Sequence, residues 1–309
     1  MAAHYKMIVN VPLATVWTSY ESPRTIDEAA ISNPVKIDSW LSRLTYETCL
    51  ELCNANLVQS QVLFGQEVII TAEKNGWVQI VVPEQPSGKD KRGYPGWLPK
   101  VQLAANDDWN IKQGKVTTVN SKKAMLYSES DKILFELSYQ TTLPVLEEQS
   151  DRVKVKLPTG TGFLMRQDVA VFSSYYGRAK GNGKDIISAG EKFLGLPYVW
   201  GGMSSYGFDC SGFSYMMYRA NGYIIPRDAG DQAEAGFRVE PDAKQPGDLL
   251  FFAHEEGKGN IHHVGIYYGD GKLLHSPKTG KNIEILPLAG TIYEKELCAA
   301  SRYWRETEE

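Results

Sequence analysis

No uninterrupted apolar run in the 309 residues approaches the ~18 positions needed to cross a bilayer as a helix. An excess of positive charge is lacking as well. There are 33 basic and 37 acidic residues, a net charge of −4, with 18 and 19 of them up to Tyr175 and 15 and 18 beyond. Neither part offers a basic field for a polyanion, which speaks against nucleic-acid binding and against docking on an anionic membrane. Cysteine is scarce. Four residues, Cys49, Cys53, Cys210 and Cys298, are too few for a small disulfide framework. The opening stretch Met1-Ala2-Ala3-His4-Tyr5-Lys6 lacks a basic segment followed by an apolar one. Either the chain is made without a secretion signal or it starts after one, so the compartment stays open between the cell envelope and the cytoplasm.

What is present is ordinary globular material, 42% apolar and 23% charged, long enough for two domains or three small ones. Eight of the 28 glycines precede Phe172 and twenty follow it, so tight turns and close backbone approaches concentrate in the C-terminal part. The polar, glycine-rich stretch 173–183 reads as a linker. Before it, short apolar runs at 66–71, 76–82 and 96–99 recur in a similar order at 143–146, 152–157 and 162–164. Ala14-Thr15-Val16-Trp17 likewise resembles Ala124-Met125-Leu126-Tyr127. This predicts two small all-β barrels, at 1–112 and 113–172. The first carries an insertion at about 25–55 with helical spacing at Ile37, Trp40, Leu41, Leu44 and Thr48. Both copies resemble bacterial SH3-like modules, which bind ligands, shape a neighbouring site or serve as plain scaffold.

Cys49 and Cys53 sit four apart in a helix-like segment without two further zinc ligands nearby. They read as small residues on a buried helix face, and Cys298, between Leu297 and Ala299, as inert core. Cys210 differs. A helix over 185–194 ends at Gly195, and a second begins after Asp209, a candidate N-cap, with Phe213, Met216, Met217 and Ala220 at helical spacing. Cys210 then occupies the first turn, where unpaired N–H groups and the helix dipole favour a thiolate nucleophile.

A partner for that thiol lies downstream. Residues 247–252 and 262–268 read as strands, followed by the turn Gly269-Asp270-Gly271 and a return strand to His275. A plain two-residue turn pairs His275 with Ile266 and sends His263 to the opposite face. A three-residue loop, or an equivalent bulge, pairs His275 with Gly265 and places His263 and His275 diagonally on one face, Cα atoms roughly 7–8 Å apart. The second arrangement is predicted, with Gly265 leaving room for the ring. A nucleophile, a base and a third residue that orients the base make an acyl-transfer site. His262 has the opposite strand parity and is left out.

Five motifs in order carry a resemblance over about residues 184–304: Tyr198-Val199-Trp200-Gly201-Gly202, Asp209-Cys210-Ser211-Gly212, Pro246-Gly247-Asp248-Leu249, His263-Val264-Gly265-Ile266-Tyr267 and Leu274-His275-Ser276. This part resembles the NlpC-type cell-wall cysteine peptidases, an α+β papain-like fold. With two SH3-like modules in front, the chain resembles the subgroup of γ-D-glutamyl-L-diamino-acid endopeptidases that act on free murein peptides. The resemblance implies Cys210 as nucleophile, His263 as base and His275 as third residue, and it requires no metal or organic cofactor. Tyr198, with the backbone N–H of Cys210, is implied in the oxyanion hole. Trp200, Asp209, Ser211, Arg227 and Asp228 fall in the substrate-binding set, Ser211 toward the D-glutamate carboxylate. In Pro226-Arg227-Asp228-Ala229-Gly230-Asp231-Gln232 the hydroxyl residues common among relatives are replaced. Asp228 is a candidate for a free N-terminal ammonium, against the plainer reading of a loop ion pair with Arg227. Tyr94, in the turn Arg92-Gly93-Tyr94-Pro95, is a candidate for closing the amine end. A murein peptide substrate and a monomer are expected. Two other readings stay open: an inactive peptide- or wall-binding protein, and a Cys–His acyltransferase or amidase.

Overall fold

The computed structural model describes residues 5–305, so the first four residues of the opening segment read above for a leader lie outside it. The chain divides into two compact units.

The first unit comprises Met1–Glu84, Arg92–Arg178 and Ser204–Tyr206. Its first sheet contains β1 (Tyr5–Val9), β2 (Leu13–Trp17), β3 (Val58–Leu63), β4 (Glu67–Lys74), β5 (Trp77–Val82), β6 (Tyr94–Pro99) and β7 (Leu103–Ala104), in the order β3-β2-β6-β5-β4-β1-β7. The second repeats the plan with β8 (Val116–Val119), β9 (Lys123–Tyr127), β10 (Ile133–Ser138), β11 (Thr142–Glu148), β12 (Arg152–Lys156), β13 (Thr161–Met165) and β14 (Val169–Phe172). The expected pair of all-β modules is therefore present. Alternating burial explains why these short runs are strands. In β12 every second side chain, Val153 and Val155, is buried, and β5 begins the same way with Val78 and Ile80 before Val81 and Val82 are buried together. Ile8 of β1 and Phe64, just past the end of β3, pack into the core of the second sheet, with Leu126, Leu137 and Leu164.

Between β2 and β3 lie the helices α1 (Glu28–Ile31), α2 (Ile37–Arg43) and α3 (Tyr46–Asn54). The buried Trp40 indole donates to Asp27 at 2.8 Å, and Asp27 is paired with Arg24 at 2.9 Å, so the segment folds around a satisfied polar core. Cys49 and Cys53 are half-buried on α3. One expectation is corrected here. Tyr94 opens a strand rather than lying in a turn. Gly93, at φ +139°, allows an abrupt return directly into β6, where Tyr94 pairs with Val82 and its side chain is buried in the first core.

The second unit comprises Gln85–Lys91, Ala179–Met203 and Gly207–Glu309. Its first helix is α4 (Gly183–Glu191); past the two-residue strands β15 (Met203–Ser204) and β16 (Gly207–Phe208) come α5 (Cys210–Ala220) and α6 (Ala229–Ala235). Its main sheet runs β17-β22-β18-β19-β20-β21, from β17 (Phe237–Arg238), β18 (Leu249–Ala253), β19 (Ile261–Gly269), β20 (Lys272–His275), β21 (Glu284–Pro287) and β22 (Leu297–Arg302). Two short helical segments, α7 (His254–Gly257) and α8 (Ile292–Glu296), complete the unit. This is the expected α+β catalytic half. Helix α4 stops at Glu191 rather than Leu194, and the chain then turns through Gly195 at φ +82°. The Cys298 reading is also corrected. Its side chain is on the exposed side of β22, with Sγ donating to the Phe251 carbonyl at 3.3 Å. No helix among the described residues is long and apolar enough to cross a membrane.

Candidate active site

The nucleophile is placed by the start of α5. Asp209 is extended and its carboxylate accepts from the Gly212 N–H at 2.6 Å, the N-cap expected from sequence. Upstream, Gly201 turns at φ +72°. Gly202 and Gly212 approach so closely that a Cβ on Gly212 would meet the Gly202 carbonyl at 2.1 Å. The glycines of two motifs thus fix where the helix begins, and Cys210 is its first residue. The residue as a whole is half-buried, and the backbone N–H groups of Val264 and Ser211 favour the charged form of its sulfur.

The base and its partner come from the β19–β20 hairpin. Asp270 and Gly271 form a two-residue turn with φ +50° and +68°. Gly269 pairs with Lys272, Tyr268 bulges out, and Tyr267 pairs with Leu273. The bulge reverses the parity that a plain two-residue turn would impose. It is the equivalent of the three-residue loop anticipated from the requirement that two imidazoles meet. His263 Nε2 and His275 Nδ1 are 2.8 Å apart. A Cβ on Gly265 would lie 2.9 Å from that of His275, so the glycine does make the room.

The buried His263 ring lies against Phe252, at 5.7 Å, and Tyr293, at 5.2 Å, which also touch each other. Tyr293 also meets His275 edge-on at 4.9 Å. Burial first, then Glu284 and Cys210, push the Tyr293 hydroxyl up to about 12. Tyr293 carried no motif, and nothing in the local sequence marks it.

Charge at this site is restrained by burial. Burial, followed by the Asp209 carboxylate, pushes the Cys210 thiol up to about 12, opposing the N–H groups that favour the thiolate. For the thiol taken by itself, loss of water outweighs those N–H groups. Burial also holds His263 well below its ordinary value, with His275 and His262 adding to the effect, and it lowers His275 to about 3. Either charge alone is penalised, so thiolate and imidazolium are stabilised only together. With His263 Nε2 engaged by His275, Nδ1 is the nitrogen left for proton exchange. A His263 that keeps Nδ1 free donates from Nε2, and His275 then carries its proton on Nε2. That atom has no hydrogen-bond partner and lies 3.7 Å from Glu284.

Around this trio the remaining candidates separate. Arg227 is fully buried and grips Asp209 at 2.7 and 3.1 Å while donating to Ser211 Oγ at 2.8 Å. Asp209, Ser211 and Arg227 form one network at the helix start, and Gln232 adds a bond to the Ser211 carbonyl at 3.1 Å. Asp228 is half-exposed and pairs with Lys89 at 3.0 Å. The segment Gln85–Lys91 belongs to this unit, with Pro86 O accepting from Arg227 N and Asp231 accepting from Gly88 N at 2.7 Å. Tyr198 and Trp200 are half-buried on the strip beside Phe208, which Val199 N joins at 3.1 Å. Asp248 of the Pro-Gly-Asp-Leu motif is a framework residue, locked to Arg302 at 2.7 and 2.8 Å.

Comparison with known proteins decides the family. Residues 195–302 match the NlpC/P60 family model, and residues 119–172 match the YKFC SH3b2 domain. A relative from Bacillus subtilis (strain 168), the gamma-D-glutamyl-L-lysine dipeptidyl-peptidase, is 50% identical over 95% of this chain and 97% of its own length. The chain belongs to the NlpC/P60 family. A second enzyme of the same name, from Bacillus cereus, is 41% identical over 96% of this chain and 91% of its own. The crystal structure of an NlpC/P60 family protein from Bacillus cereus ATCC 10987 superposes with a TM-score of 0.94 at 40% identity. It covers 97% of this chain and 100% of that one. As a member, this chain is a cysteine peptidase of papain-like fold, which removes the open readings of an inactive binding protein and of an acyltransferase.

Proposed function

We propose that this peptidase hydrolyses the bond between the γ-carboxyl of D-glutamate and an L-diamino acid in small murein peptides that begin with a free L-alanine. The observation that carries the chemistry is the His263–His275 contact of 2.8 Å, on a strand against which α5, headed by Cys210, packs. The Cys210 thiol gives its proton to His263 Nδ1 as the sulfur attacks the γ-carbonyl of D-glutamate. The oxyanion is received by the Cys210 N–H, with Tyr198 as second donor. His263 hands the proton to the leaving amine, a water activated by the same ring hydrolyses the thioester, and His275 keeps the ring oriented. Ser211, held by Arg227 and Asp209, is assigned to the D-glutamate carboxylate, and Trp200 to the wall of the cleft. Asp228 is assigned to the alanine ammonium, for which Lys89 stands in on the free enzyme. The two close relatives, both named dipeptidyl-peptidases, support a requirement for a free amine two residues from the cut.

The test is mass spectrometry of L-Ala-γ-D-Glu-L-Lys and its meso-diaminopimelate counterpart after incubation with enzyme, beside N-acetylated peptides and Cys210→Ala. Release of L-Ala-γ-D-Glu by the wild type alone, lost on acetylation, is the expected result. Cleavage of acetylated peptide at an equal rate would remove the ammonium role of Asp228. No release from either free peptide would overturn the substrate assignment.

A further inference from the structure

We propose that His254, His262 and Glu296 form a binding site for one divalent transition cation of the Zn²⁺ class, separate from the catalytic trio. His262 was left out of the catalytic face by strand parity, and the structure shows what it meets instead. On the opposite side of β19 its ring stacks on His254, centroids 4.0 Å apart and planes 15° apart. Its Nε2 lies 3.1 Å from Glu296 Oε2. One donor atom from each of the three residues lies within 4.8 Å of the others.

The donor chemistry suits the ion. Two imidazoles and a carboxylate are ligands that zinc accepts, leaving a fourth position for water. Donors held at about 2.1 Å by one tetrahedral ion stand about 3.4 Å from each other. The His262–Glu296 pair already has nearly that separation, and His254 is exposed, so its ring can swing in. The Glu296 carboxylate is only 15% exposed and faces His262, so it is already directed toward the site.

The backbone supplies convergence from three elements. His254 opens α7, with its N–H bonded to the Asn260 carbonyl at 3.2 Å and its own carbonyl accepting from Gly259 at 2.8 Å. The intervening Glu255 and Glu256 both stand at φ +55°, a left-handed turn that brings the chain back toward β19. His262 lies in β19 and Glu296 closes α8, so an ion there ties both flanking segments to the strand carrying the general base one residue on.

Binding is tested in full-length Cys210→Ala protein, which removes the thiolate that would otherwise compete for zinc. Titration with Zn²⁺ by isothermal calorimetry is expected to give one ion per chain. His254→Ala and Glu296→Gln, each in that background, are expected to weaken it about tenfold or more, since loss of even an outer-shell partner costs that much. Zn²⁺ is expected to raise Tm in the parent and not in the His254→Ala variant. His254→Ala in the Cys210 enzyme, with chelator present, is expected to keep its peptidase activity, showing that the variant folds. Unchanged binding in His254→Ala would put the ion elsewhere and overturn the site, as would the absence of both heat and Tm shift in the parent.

Discussion

At the scale of single residues the site is a competition between burial and charge. Cys210 is raised to about 12 and His263 is lowered, both chiefly by burial. The reactive form is the pair holding one proton between them, and its limits belong to the pair rather than to either residue. Adding a proton must charge the buried His263, so the acid limb of kcat/KM is expected below the ordinary imidazole value of 6.5. Removing the last proton must leave a buried thiolate without an imidazolium, so the alkaline limb is expected above the ordinary thiol value of 9.0. The pH profile of kcat/KM on the free tripeptide measures both. An acid limb at or above 6.5 would show that water reaches His263 more freely than the structure allows.

At the scale of elements, α5 and the β19–β20 hairpin carry the chemistry, and they were unequally legible. Helix α5 could be read nearly whole, because a cap, a first-turn cysteine and apolar spacing are local features. The hairpin register could be read only by demanding that His263 and His275 meet; the residue that bulges, Tyr268, has no signature of its own. Tyr94 was misplaced because a glycine before a tyrosine reads equally as a projecting turn or as a sharp entry into a strand. Tyr293 and Glu284 were invisible, since only the folded sheet brings β21 and α8 to His275. The network under α5 was half legible: the cap was foreseen, but not that Arg227 would spend its guanidinium on Asp209. That pairing yields a prediction. Asp209→Ala removes an N-cap and strands a buried guanidinium, at an expected cost of about 3–5 kcal/mol in the second unit's stability. Asp209→Asn retains a capping oxygen and is expected to cost less. Urea denaturation of both variants compares them, and equal losses would mean that the ion pair alone matters and the cap oxygen is idle.

At the scale of the whole molecule, two compact units make a single unfolding midpoint a poor description, and pH distinguishes them. His275 belongs to the second unit and its folded value is about 3 against 6.5 in the unfolded chain. Between those values the unfolded chain binds the proton and the folded one does not, so stability rises with pH across the window. The contribution is complete above 6.5 and is lost as pH falls toward 3. His263, lowered in the same direction, adds to the slope. Trp17, Trp40, Trp77, Trp97 and Trp109 lie in the first unit and Trp200 and Trp304 in the second, so indole fluorescence reports mainly on the first. Calorimetric scans between pH 7 and pH 4 are expected to show the transition followed less by fluorescence moving down more steeply. His275→Gln, which cannot take up a proton, is expected to flatten that slope by a few kcal/mol over the window even if it lowers stability at pH 7. Parallel slopes in the wild type and in His275→Gln would mean that the buried imidazole is already protonated in the folded enzyme, and the tautomer chain from Glu284 through His275 to His263 would have to be redrawn.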